Sequence, residues 1–170
     1  MGYHLAQVNI GRLLAPVDSP QLAGFMAGLD PVNAVADAAP GFVWRLQTED
    51  GNATSITGFE WDVADSAGVI LNMSVWESVE ALAAFVYGGP HIAVLRRRRE
   101  WFQKMAEAYT ALWWIPAGTV PSVADAESAI RHLRAHGPTP RAFTLREHYP
   151  PPDAPPAGPL PSPDDWMCPA

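Results

Sequence analysis

The 170-residue chain has a single cysteine, Cys168, near its end, so no internal disulfide can form and a reducing compartment is expected. Positive charge is scarce as well. Lys and Arg number 11 against 18 Asp and Glu, for a net charge of -7. Nucleic-acid binding draws on clustered cations that displace counterions, so no nucleic-acid partner is expected; the one basic run, Arg96 to Arg99, is too local to alter that. No stretch approaches the roughly 20 apolar residues of a membrane span. Met1 to Arg12 has neither a basic leader region nor a continuous apolar one, and the expected location is cytoplasmic, away from membranes. Several catalytic signatures are missing too: a G-x-S-x-G elbow, a Walker loop, a G-x-G-x-x-G after a strand, and Cys/His spacing for structural zinc.

What the chain does have is apolar material. Hydrophobic residues make up 48% and charged residues 17%, enough to bury a sizeable single core and little to keep a bare surface soluble. His4 to Ile10 alternates as a half-buried strand. Leu22, Phe25, Met26, Leu29 and Val32 then recur at helical spacing, with Ser19 as N-cap and Pro20 in the first turn. Phe42 to Gln47 reads as a second strand, Ser55 to Asp62 as a short edge strand, and Val69 to Trp76 as the strongest strand of all. Ser78 caps a helix that Gly88-Gly89-Pro90 breaks and that resumes from His91 to Met105. Tyr109 to Pro116 supplies a fourth strand, Val123 to His136 a last helix stopped by Gly137-Pro138, and Ala142 to Leu145 a final short strand. Residues 150–170 hold nine of the eighteen prolines without hydrophobic periodicity. They form a proline-rich tail to a domain of residues 1–149, with Trp166 a possible docking point.

The order β-α-β-β-α-β with an added C-terminal helix is the ferredoxin-like split βαβ pattern of the α+β class. Its helices cover one sheet face only. The other face, rich in Trp and Val, is costly to leave in water, so a homodimer that packs two sheets into a barrel is expected.

Several phrases carry a resemblance: Pro40-Gly41-Phe42-Val43-Trp44-Arg45-Leu46-Gln47, Asn72-Met73-Ser74-Val75-Trp76-Glu77-Ser78, Arg97-Arg98-Arg99-Glu100-Trp101-Phe102, Leu112-Trp113-Trp114-Ile115-Pro116-Ala117-Gly118, His136-Gly137-Pro138-Thr139-Pro140 and Ala142-Phe143. Over about residues 4 to 146 the chain resembles a bacterial family of unknown function in the dimeric α+β barrel superfamily, which includes antibiotic-biosynthesis monooxygenase-like proteins and haem enzymes. The resemblance implies a small-molecule enzyme with its ligand between sheet and helices. In haem-using members a His on the second helix often ligates the iron.

His91 is the first candidate. At a restarted helix its imidazole feels the positive end of the dipole, which favours the neutral form that ligates a metal or accepts a proton. It also matches the position of the haem ligand in the relatives; the competing reading is a histidine bonded to a loop or exposed. Arg97 or Arg98 could anchor a propionate or other carboxylate through its fork, or belong to a solvated face paired with Glu100. Trp44, Trp76, Trp113 and Trp114 offer flat walls for a haem or an aromatic substrate, or ordinary core, with Trp113 and Trp114 on opposite sheet faces. Asn72 is an amide in the most apolar strand. It could bind a substrate carbonyl or pair with loop backbone, and Asn9 and Tyr87 invite the same two readings. His132 and His136, four apart, make half a metal site or a solvated helix end.

Three functions compete: a haem-dependent oxidoreductase or dehydratase with His91 on iron, a cofactor-free monooxygenase-like or isomerase-like enzyme lined by Trp44, Asn72 and Trp76, and a non-catalytic metabolite-binding module.

Overall fold

A computed structural model describes residues 2–155. Trp166, Cys168 and most of the proline-rich tail lie outside the described residues. Four strands, β1 (Tyr3–Arg12), β2 (Phe42–Arg45), β3 (Val69–Trp76) and β4 (Thr110–Pro116), form one antiparallel sheet in the order β2-β3-β1-β4. That is the split βαβ order expected from the element sequence. Helix α1 (Ala23–Asp37) joins β1 to β2, α2 (Val79–Val86) and α3 (Gly89–Arg97) join β3 to β4, and α4 (Val123–His136) follows.

The caps follow from local chemistry. Ser78 accepts the Ala81 N–H at the start of α2, and Ser122 forms a reciprocal capping box with Asp125 at the start of α4. Ser19 does not cap α1. It precedes a single 3-10 turn at Pro20–Leu22, makes no side-chain cap bond, and its hydroxyl is buried without a partner. Pro31 sits inside α1 with no N–H to give to Ala27, so one rung of that helix is missing.

The edge strand expected at Ser55 to Asp62 is instead an irregular segment ending in a 3-10 turn at Glu60–Asp62. Phe59 there adopts a left-handed backbone with φ of 58°, which a strand cannot contain. Burial of its ring and a 2.6 Å bond from its N–H to Glu127 hold that conformation. The helix expected to reach Met105 ends at Arg97 and tightens into a 3-10 turn through Glu100, and Phe102 then bridges back to Leu13. The last strand is reduced to two isolated bridges, Leu112 to Phe143 and Thr139 to Ala142.

Strand register sorts the side chains into two layers. Ala6, Val8 and Ile10 align with Val75, Met73 and Leu71, and with Trp113 and Ala111 on β4. On this face, from which a second copy of the chain was expected, α4 and the segment around Phe59 lie over the strands. Ala126, Ala129, Ile130 and Leu133 of α4 pack with it into one cluster in which Phe59, Val8 and Val75 have no exposed surface. This face is therefore a buried interior within the single chain.

A buried carboxylate ties that cover in place. Asp62 accepts from Arg12 of β1 at 2.6 Å and from Arg134 of α4 at 2.7 and 3.0 Å, while Arg12 Nε donates to the Asp62 carbonyl at 2.8 Å. Neighbouring Trp61 lies under the guanidiniums of Arg131 and Arg134. Burial alone would raise the Asp62 pKa, but the hydrogen bonds and charges of the two arginines outweigh it and hold it below the ordinary carboxylate value. This stabilisation is complete above the unfolded pKa, near about pH 4, and is lost as pH falls through the lower folded value. Asp62→Asn strands two cations and is expected to cost about 3–5 kcal/mol, measured by urea unfolding at neutral pH; the gap between variant and parent should close below about pH 4.

Candidate active site

On the other sheet face, beneath α1 to α3, hydrophobic residues gather at the two ends. Leu5, Trp76 and Leu112 pack with Val79, Leu82 and Phe143 at one end; Leu13, Leu22 and Trp101 pack at the other. Between them runs a polar strip set by register: Gln7 opposite Ser74, and Asn9 opposite Asn72. Alternation of side chains along β1 and β3 puts all four on this face.

The strip is ordered at one end and open at the other. Gln7 and Ser74 are buried, and the Ser74 hydroxyl donates to Gln7 Oε1 at 2.9 Å while accepting from Trp76 Nε1 at 2.9 Å. Arg45, aligned with Ser74 on β2, is pinned by Asp37 at 2.7 and 3.2 Å and by the Gly51 carbonyl at 2.7 Å. Asn9 is half-buried and Asn72 is exposed although it sits mid-strand, so water reaches the sheet there. Met26, Leu29 and Val32 of α1 are half-buried, yet they pack on none of the three buried clusters. The apolar residues of α1 and the amides of the strip thus lie on the same side of the sheet, both part-open to solvent.

His91 joins this layer through aromatic stacking. The Trp76 indole stacks on Phe85 at 5.1 Å, and Phe85 contacts the His91 ring at 4.9 Å. The helix break that presents His91 is enforced by Gly88, where a Cβ would lie 2.6 Å from the Ala84 carbonyl, and by Gly89 with φ of 48°. His91 Nδ1 lies 3.1 Å from the Val86 carbonyl, which can only accept, so Nδ1 carries the proton. Burial holds the His91 pKa below its ordinary value, against the pull of that hydrogen bond. The ring is therefore neutral at pH 7, with the Nε2 lone pair free to take a proton.

The sequence candidates separate. His91, Asn72 and Trp76 share this layer; Trp76 is fully buried and its N–H is taken up by Ser74. Trp44 aligns with Val75 and packs in the α4-side cluster, on the opposite sheet face, because a bulge at Val43 shifts the β2 register. Arg97 faces solvent, bonded to Glu100 at 2.8 and 2.9 Å. Arg98 donates to the Tyr109 hydroxyl at 2.6 Å and lies over its ring. Tyr87 is exposed. Gln7, Ser74 and Arg45 were missed; the signal for the first two was polar residues at matching inward positions of adjacent strands.

The residues do not fit a haem. A haem site needs an imidazole, a flat apolar slot and cations for the propionates in one place. The groove of about 940 Å³ between α1 and α2 is lined by Ala38, Ala81 and Ala84, with Glu77 and Glu80 where a cation would be required, and His91 is not among its lining residues. Arg97 and Arg98 are engaged elsewhere, as above. Among the described residues no three His, Cys, Asp or Glu side chains cluster as metal ligands.

Fold and cleft define an α+β domain with a four-stranded antiparallel sheet and a polar strip under its helices. The sequence matches, over residues 4–158, the family described as a domain of unknown function, DUF3291, and the chain belongs to that family. No curated protein matches it. Similar solved structures include NE2512, a protein of unknown function from Nitrosomonas europaea, at 12% identity, covering 71% of this chain and 96% of that one with a TM-score of 0.42. Rv0793 from Mycobacterium tuberculosis is 13% identical, with 70% and 99% covered and a TM-score of 0.43. SnoaB, a cofactor-independent oxygenase from Streptomyces nogalater, is 14% identical, with 70% and 97% covered and a TM-score of 0.41. At these scores no inference about chemistry rests on them. No helix among the described residues is long and apolar enough to cross a membrane.

Ser74 is the shared atom of the buried strip. Ser74→Ala removes the acceptor of the Trp76 N–H and leaves Gln7 Oε1 without its donor, and is expected to cost about 1–3 kcal/mol. Thermal unfolding together with the Trp fluorescence maximum checks this, since a loosened Trp76 shifts its emission to longer wavelength.

Proposed function

We propose that the chain is a cofactor-free small-molecule enzyme working in the cleft between α1 and the sheet, with His91 as general base. The observation that supports it is the neutral His91, its Nε2 lone pair free, stacked through Phe85 and Trp76 onto the amide strip. The substrate class that suits these walls is a largely apolar molecule bearing carbonyl or hydroxyl oxygens: Met26, Leu29 and Val32 accept its hydrocarbon part, and Asn9 and Asn72 hydrogen-bond its oxygens.

In this reading Nε2 accepts a proton from an acidic C–H or O–H of the substrate. The electron pair left behind resides on a substrate oxygen, and side-chain N–H groups of Asn72 and Asn9 stabilise that charge. Where molecular oxygen is the co-reactant, the substrate anion gives its electrons to O2 and a C–O bond forms to the reduced oxygen; without it, return of the proton to another carbon is an isomerisation.

The test is oxygen uptake and product analysis on hydroxylated aromatic and β-dicarbonyl compounds with the purified protein and no added cofactor. His91→Gln is expected to lower kcat by about 10²–10⁴ with little change in KM, and Asn72→Ala to raise KM. Because neutral His91 is required and its pKa is held low, kcat/KM should stay high at neutral pH and fall only at pH below the ordinary imidazole range. A His91→Gln protein with the parent kcat removes the base from the mechanism, and saturable binding with no turnover of any compound favours a metabolite-binding module.

A further inference from the structure

Away from this cleft, α4 carries a hollow of about 440 Å³ on the side turned away from the sheet, lined by Ser128, Arg131, His132, His136, Arg141 and Glu127. In a chain with net charge -7, four of its basic side chains surround one depression. Among the described residues neither Arg131 nor Arg141 has a carboxylate partner: Arg131 lies 4.1 Å over the Trp61 ring, and Arg141 makes only a 3.4 Å contact with the Ser128 hydroxyl. The one carboxylate in the lining, Glu127, accepts the Phe59 N–H through Oε1 at 2.6 Å, so one anion stands against two guanidiniums.

His132 and His136, one turn apart with ring centroids 4.6 Å from each other, have the spacing of a two-imidazole metal chelate. The surroundings decide against a cation. Two guanidiniums border the same hollow and the single carboxylate of Glu127 offsets only one of them. His132 Nε2 is also held by the Thr139 hydroxyl at 2.8 Å. Desolvation, His136 and Arg141 all keep the His132 pKa below its ordinary value, as expected where positive charge is crowded and an anion is wanting.

We propose that this hollow binds the dianionic phosphoryl group of a small phosphomonoester, gripped by the forks of Arg131 and Arg141 with the two imidazoles and the Ser128 hydroxyl as further donors. Guanidinium forks match phosphoryl oxygens in geometry as well as in charge. The hollow exceeds a lone phosphate in volume, which leaves room for the organic part of an ester. The site is independent of His91 and the amide strip.

The experiment follows the imidazole proton resonances of the full chain during titration with inorganic phosphate, with phenyl phosphate, and with chloride at matched ionic strength. Both phosphates should shift His132 and His136 saturably, the ester at lower concentration, while His91 stays unmoved. Arg141→Gln and His136→Gln, both at exposed positions, should each weaken binding by about tenfold without changing Tm. The proposal fails if chloride gives the same shifts, if Arg141→Gln binds as the parent does, or if Zn2+ binds at micromolar concentration and phosphate does not. Equal affinity for the two phosphates overturns the ester in favour of the free anion, and shifts produced by an oligoglutamate peptide but by neither phosphate overturn both.

Discussion

One carboxylate holds the layers of this protein together. Asp62 belongs to no strand or α-helix, yet it bonds the last residue of the central strand β1 and the last turn of α4 at once. The irregular segment before β3 can lie across the sheet only because its single buried charge is met by two arginines, and α4 stays in register with β4 because Arg134 also donates to the Ala108 carbonyl at 2.9 Å. With Phe59 fixed by Glu127 and Trp61 under Arg131 and Arg134, one short turn fastens three elements.

That fastening gives the sheet two different faces. The face under α4 is closed and apolar, so it fixes the strands without chemistry. The face under α1 to α3 has its apolar contacts at the ends and hydrogen-bonding groups at the centre. A rigid floor suits a site, because its polar groups keep their spacing.

Much of this was legible in the sequence. The span of β3, the span of α4, the split βαβ order and the opposite facing of Trp113 and Trp114 follow from alternation, helical spacing and caps, which are local signals. The segment 46–68 was not legible, because its conformation depends on partners 50 to 72 residues away, as with Asp62 and its arginines. The same limit applies to the site. Gly88-Gly89-Pro90 announced His91 correctly as the start of a helix, but the direction of Trp44 turned on a bulge that no composition encodes. Arg97 shows the reverse case, in which the simple spacing of Arg97 and Glu100 already contained the answer.

Pro31 gives α1 an unequal character along its length. Ahead of it, Gly24 and Gly28 let the helix lie close against Arg97 and Val94; after it, Ala36 is the buried side chain and most neighbours face water. The missing rung separates a half that lies on α3 from a half tied to β2 through Asp37 and Arg45, so the two halves need not release their amide protons to solvent together.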